Sequence, residues 1–357
     1  MRPDPDAFAA LLCDWCLEAR EGDQVLVAAT EPSLPLALAV HGALLERGAW
    51  PLMRLSAAAL AESFYRHAGD AQLDAFAPLE LTEAQKADAF LTITAPTNTR
   101  ALAAVDPARI ARVGRARAPI QEARLAGRWC GTLWPTAAAA QQAGMSEGDY
   151  ASFVTRALFL DRPDPVQAWR ELTKVQGRLV GRLAVAREIR IEAPDTDLRL
   201  RVDGRTWINS DGKHNMPSGE VFTGPLEDSA NGTIRFAIPS SPTGLEVADI
   251  RLTFAEGRVV EASAERGDEY LQAALQTDAG ARFLGEIGIG TNVGIDRPTG
   301  SIMLDEKMAG TVHLALGRSY PVTGGTNQSA LHWDMICDLR DDGRLSVDGE
   351  TLPLTGR

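Results

Sequence analysis

The sequence predicts two domains of different class: an α/β N-terminal domain with a parallel sheet over residues 1–163, and a mainly antiparallel β (α+β) C-terminal domain over residues 164–357. Three observations predict it. A chain of 357 residues exceeds the size at which one hydrophobic core keeps growing, about 250–300 residues. Its first half alternates helix-patterned and strand-patterned segments, while its second half alternates apolar and polar residues with period two. Between them, Leu160-Asp161-Arg162-Pro163-Asp164-Pro165 has the composition of a linker, and its Asp-Pro step also suits the opening of a helix.

In order, Phe8, Leu11, Leu12, Trp15, Cys16 and Ala19 form one helical stripe. The strand Gln24–Ala28 follows the Glu21-Gly22-Asp23 turn. A helix with Ser33 as N-cap and Pro35 in its first turn then runs to about Gly48. Trp50 to Leu55 reads as a strand whose Pro51 puts it at a beginning or an edge. Ala89 to Thr94 is a third strand, Asp106-Pro107 opens another helix, and Gly131 to Trp134 supplies a fourth strand. Short β-α-β connections of this kind favour a parallel sheet covered by helices. No phosphate-binding glycine loop follows any of these strands, so this domain reads as a lid or dimer-shaping element.

Beyond the linker, Val166, Trp169, Leu172, Leu179, Val180 and Leu183 make an apolar helix face. The period then changes to two at Ile189–Ile191, Leu198–Val202, Ile234–Ile238 and Ile250–Phe254. Ala255–Arg258 and Arg340–Arg344 read as hairpin turns, and a helix covers about Asp268 to Thr277. Gly288-Ile289-Gly290-Thr291-Asn292-Val293-Gly294 matches a dinucleotide fingerprint poorly, because its third glycine comes one residue late and no helix opens there. It reads as a tight loop beside Glu286.

Composition narrows the partners. With 45% hydrophobic and 24% charged residues this is an ordinary globular chain, and its net charge of −12 with no long basic cluster argues against nucleic acid and anionic membranes. The N-terminus lacks the pattern of a signal peptide, and no apolar run approaches the roughly 20 residues needed to cross a bilayer. A cytoplasmic protein is the expectation. Four scattered cysteines do not make a disulfide framework, and Cys13-x-x-Cys16 falls on the apolar stripe, so buried thiols are expected there.

Chemistry concentrates in the last third. Only five histidines occur in the chain, and His313 and His332 both sit in β-patterned segments. His332 and Asp334 are two apart and so face the same way on a strand. Glu220, Glu286 and Glu306 add carboxylates, and Tyr320 lies nearby. Carboxylates with imidazoles and no thiolate suit zinc, cobalt or manganese, and a two-ion site needs about five or six such donors. Taken singly, Glu220 reads as a turn residue, His313 as a core histidine, Tyr320 as packing and Glu306 as the ion-pair partner of a lysine.

Together the segments resemble one family, the thermophilic metalloaminopeptidases of the aminopeptidase T and S type. The resemblance runs through Asn215–Thr223, Leu284–Asn292, Asp305–Lys307, Gly310–Gly317, Ser319-Tyr320 and His332–Asp334, with similar stretches at Leu11–Val27 and Leu44–Ala49. It implies metal ligands at Glu220, Glu286, His313, His332 and Asp334, with Glu286 bridging two divalent ions (Zn, Co or Mn) and a water between them as nucleophile. It further implies proton transfer by Glu306, an oxyanion contact from Tyr320, peptide substrates with a free N-terminus, and a homodimer. The Tyr320–His332 stretch is shorter, and the Glu306–His313 spacing longer, than in better-known members. One alternative is a mononuclear non-haem Fe(II) ring-cleaving dioxygenase of the related dihydroxypyridine type, using His313, His332 and Asp334. A non-catalytic metal-stabilised protein is a third reading.

Overall fold

Strand pairing and helix placement follow the alternation just described. A computed structural model describes residues 2–242 and 244–354, which divide into two compact units: Met1–Ala168 with Gly212–Pro217, and Trp169–Asp211 with Ser218–Arg357. The first is α/β with a wholly parallel sheet, and the second carries two antiparallel sheets, as the sequence predicts.

In the first unit the strand Gln24–Thr30 lies between Trp50–Ser56 and Ala89–Thr94, and Arg128–Leu133 follows on the far side. Val25, Leu26 and Val27 are all buried, the unbroken apolar run expected of a parallel strand covered on both faces. Trp50–Ser56 is the edge strand, where Pro51 removes no interior ladder donor. A short strand from far along the chain, Asn215–Met216, completes the sheet by pairing in parallel with Arg128–Leu133.

Two local expectations need correction here. The first helix is α-helical only over Pro5–Leu11 and then widens into a π-turn over Leu12–Cys16, where Leu17 N donates to Leu12 O at 2.9 Å. The apolar stripe is still buried, yet the helix stops before Ala19. Ser33 does not cap its helix either: its hydroxyl donates back to Thr30 O at 2.8 Å, within a 3₁₀ turn that precedes Leu34–Glu46.

In the second unit, a seven-stranded sheet and a five-stranded sheet turn apolar faces toward one core. Ile189, Ile191, Leu198 and Leu200 contribute from one sheet, and Ile287, Ile289, Val312, Leu314, Trp333 and Met335 from the other. Ala255–Arg258 forms the hairpin predicted for it. Arg340–Arg344 does not: the strand before it, His332–Asp338, belongs to the five-stranded sheet, whereas Arg344–Val347 pairs with Glu188–Ala193 in the other. That segment is a crossover between layers. The hairpin lies further on, at Asp348-Gly349, where both residues adopt positive φ.

Among the described residues no helix is long and apolar enough to cross a membrane. All four cysteines are buried and free. Burial pushes the Cys13 and Cys337 thiols up to about 12 and raises Cys16 as well. Thiolate is the reactive form, so the native protein should resist Ellman's reagent at pH 8 and titrate four thiols only once denatured. Rapid labelling of the native chain would contradict that burial.

Candidate metal centre

The five-stranded sheet has two unlike faces. Its strands run in the order His332–Asp338, Thr311–Gly317, Leu284–Gly290, Glu220–Thr223, Ile208–Ser210. Alternate positions point to opposite sides. On the central strands Ile287, Ile289, Val312, Leu314 and Leu316 face the core. The intervening positions are Glu286, Gly288, Gly290, His313, Ala315 and Gly317, and register places Gly290 opposite Glu220, Gly288 opposite His313, and Ala315 opposite Asp334. Acids and imidazoles from four neighbouring strands thereby share one face.

Of the segment expected to be a tight loop, residues 291–294 are loop and turn, whereas residues 288–290 end the central strand, Leu284–Gly290, buried throughout. Its glycines are there for space. A Cβ on Gly288 would lie 2.1 Å from His313 Cε1, and one on Gly290 would lie 2.0 Å from Met308 O. The first gap lets the His313 ring lie across the sheet. The second lets the Glu306–Met308 segment approach the same face from above.

All seven residues singled out in the sequence meet here. His313 Nε2 lies 3.3 Å from Glu286 Oε1 and 3.4 Å from Glu220 Oε2. His332 Nε2 lies 3.4 Å from Asp334 Oδ2 and 3.9 Å from Glu286 Oε2. His332 Nδ1 donates to Arg318 O at 2.8 Å, which fixes the ring and turns Nε2 toward the acids. The Tyr320 ring packs edge-on against His332 at 5.3 Å and Phe222 at 5.7 Å. Gln176 Nε2 holds the strand in place by donating to Glu220 O at 2.7 Å.

Lys307 went unread in the sequence except as a partner for Glu306. It is fully buried, pairs with Glu306, and lies 3.4 Å from Glu220 Oε1. A lysine next to two acids reads as a surface ion pair, and only the close approach over Gly290 takes it inside.

The field in this pocket is strongly negative. Burial works against charging His313, yet the Glu286 hydrogen bond and the charges of Glu220, Glu286 and Glu306 outweigh it and push the imidazole up to about 10. His332 is pushed up to about 9 against the same penalty, chiefly by Asp334 and Glu286. Burial, reinforced by Glu220 and Asp334, lifts Glu306 to about 8 despite Lys307. Glu286 is also raised by burial, while Asp334 is drawn below its usual range because His332 outweighs burial there. Burial keeps the Tyr320 phenol well above its ordinary value, so it stays a donor.

Three donor groups converge within 4.8 Å: Glu220, Glu286 and His313; Glu286, His332 and Asp334; and Glu306, His313 and Asp334. Within them Glu220 Oε2, Glu286 Oε2, His313 Nδ1 and Asp334 Oδ1 are buried without a hydrogen-bond partner. Buried carboxylate oxygens left unpaired beside imidazoles form a donor set that fits a divalent cation. The pocket thus gathers the donors that a metal-dependent enzyme requires.

The thermophilic metalloprotease (M29) family model matches residues 3–354, and the chain belongs to that family. It is therefore a hydrolase of the metalloprotease class, with a divalent metal implied for this pocket. Aminopeptidase 2 of Geobacillus stearothermophilus is 33% identical over 318 residues, covering 76% of this chain and 75% of the relative. Aminopeptidase T of Thermus thermophilus is 29% identical over 307 residues, covering 73% and 74%. The solved structure of wild-type AmpT from Thermus thermophilus superposes with a TM-score of 0.85 at 24% identity, over 98% and 97% of the chains. The 2,5-dihydroxypyridine dioxygenase of Pseudomonas putida KT2440 shares the fold at a TM-score of 0.58 and 15% identity, over 99% and 95%.

Two outcomes follow from this geometry. Because the folded-state pKa values of His313 and His332 are raised from 6.5 to about 10 and 9, their stabilising charge is fully present below pH 6.5 and lost as pH rises through 9–10. A divalent ion must displace those protons. Titration of zinc into chelator-treated protein at pH 7 should thus release protons, seen as calorimetric heats that change with buffer ionisation enthalpy; buffer-independent heats would contradict the raised values. Gly288→Ala should expel the His313 ring and cut metal content measured by plasma emission, while a stoichiometry equal to wild type would refute the close approach.

Proposed function

We propose that this chain is a two-metal aminopeptidase that removes the N-terminal residue from peptides. One observation carries the reading: the two oxygens of Glu286 address different donor groups, Oε1 toward His313 and Oε2 toward His332. A carboxylate so placed suits the bridge between two ions, with Glu220 and His313 completing one site and His332 and Asp334 the other. Bound there, divalent zinc, cobalt or manganese would supply a water acidified to near neutral pH and a Lewis acid for the scissile carbonyl.

The remaining roles belong to the protein. Glu306, placed beside His313 and Asp334, can take a proton from the attacking water and pass it to the leaving amine. Tyr320 keeps its phenolic proton and can donate a hydrogen bond to the tetrahedral oxyanion. A divalent ion held there would also offer a ligand position for the substrate's free α-amine, which would make the first peptide bond the one cleaved. A cytoplasmic homodimer acting on peptides belongs to the same reading.

The mononuclear iron alternative needs His313, His332 and Asp334 around one ion. None of the three donor groups found among the described residues contains both histidines. That spacing favours the peptidase.

With cobalt or zinc added, the protein should release p-nitroaniline from leucyl p-nitroanilide and bind about two ions per chain. Glu286→Gln should abolish turnover, Glu306→Gln should lower kcat by about 10²–10⁴, and Tyr320→Phe by about 10²–10³. One iron per chain with oxygen consumption would overturn the proposal, and full turnover by Tyr320→Phe with metals bound would remove its oxyanion role.

A further inference from the structure

We propose that Lys307 is a positioning residue of this centre, its ammonium clamping the Glu220 and Glu306 carboxylates in the orientations they need. The inference rests on the aminopeptidase reading above. A lysine is almost never wholly buried unless paired, and Lys307 is buried completely, with its Nζ between two acids. The contact with Glu220 is selective. Oε1 faces Lys307 Nζ at 3.4 Å, while Oε2 faces His313 Nε2 at 3.4 Å. One oxygen is thus occupied by the ammonium, and only the other is offered to the metal-binding cluster.

The backbone holds this clamp still. Asn292 N donates to Lys307 O at 2.9 Å, and Asn292 Nδ2 donates to Ser218 O at 2.8 Å, two residues before Glu220. Lys307 and Glu220 therefore hang from one hydrogen-bonded frame, with Asn292 as its centre. The short helix Ile302–Asp305 that leads into Lys307 is pinned in turn: the Asp305 carboxylate accepts from Thr299 N and Oγ1 at 2.7 Å and from Gly300 N at 2.8 Å. An ammonium on so fixed a stem is a stationary point charge. A carboxylate that shuttles a proton must return to one place in every cycle, and this charge defines that place for Glu306. Displacing a reacting group by about 1 Å can cost 10²-fold in rate. The loss should fall on kcat, since Lys307 is wholly buried and offers no surface to the substrate.

The test uses the full chain loaded with zinc or cobalt, acting on leucyl p-nitroanilide. Lys307→Met should lower kcat by about 100-fold and leave KM within about threefold of wild type. Lys307→Gly should be as impaired and regain activity with methylammonium or ethylammonium, but not with tetramethylammonium at the same ionic strength. A kcat for Lys307→Met within about threefold of wild type would overturn the clamp. So would variants that lose metal or fold and show no rescue by small ammonium ions, because the lysine would then be only a structural part. Failure of the aminopeptidase reading is separate, since the wild-type protein would itself be inactive on the substrate.

Discussion

Burying carboxylates beside two imidazoles on one face of a sheet is the constraint on which the second unit depends. An ionised carboxylate taken out of water loses several kcal/mol of solvation, recovered only when opposite charge and hydrogen bonds surround it. Glu220 and Glu286 are each about 5% exposed, so nearly everything around them serves that compensation. Lys307 supplies a fixed positive charge, and without a metal the surrounding acids hold the His313 and His332 imidazoles above their ordinary pKa. The opposite side of the same strands anchors this polar layer in a continuous apolar core.

The same constraint explains where small residues fall. His313 can lie flat over the central strand only because position 288 has no side chain, and the segment bearing Glu306 and Lys307 can descend only because position 290 has none. Ala315 and Gly317 continue the pattern on the next strand. A Cβ on Gly317 would lie 2.2 Å from Leu331 O, the backbone just before His332. Function thereby sets the residue volumes on one face and stability sets them on the other.

Legibility in the sequence tracked how local each signal was. The period-two strands around Leu198, Ile234 and Ile250 and the β-α-β order of the first half could be read because neighbouring residues carry the pattern. His332-x-Asp334 could be read for the same reason, since i and i+2 share a face wherever a strand exists. Of the expected loop 288–294, residues 288–290 belong instead to the strand Leu284–Gly290, because Gly288 and Gly290 answer to His313 and Met308, both distant along the chain. Arg340–Arg344 looks like a turn, but the sheet joined by the next strand is decided by pairing with Glu188–Ala193. Lys307 was unreadable as an interior residue, because its burial comes entirely from tertiary approach.

The composition of the central strand has a consequence for how the protein comes together. Three of the seven residues in Leu284–Gly290 are glycine, and glycine lends a strand little intrinsic preference for extended structure. Such a segment is held in line by its neighbours, here Glu220–Thr223 and Thr311–Gly317. Glu286 therefore reaches its position only after strands far apart in the chain have paired on both sides of it. During biosynthesis the acids stay dispersed until the sheet closes, and the nascent chain presents no preformed chelating cluster that could capture a stray ion before the fold can select it.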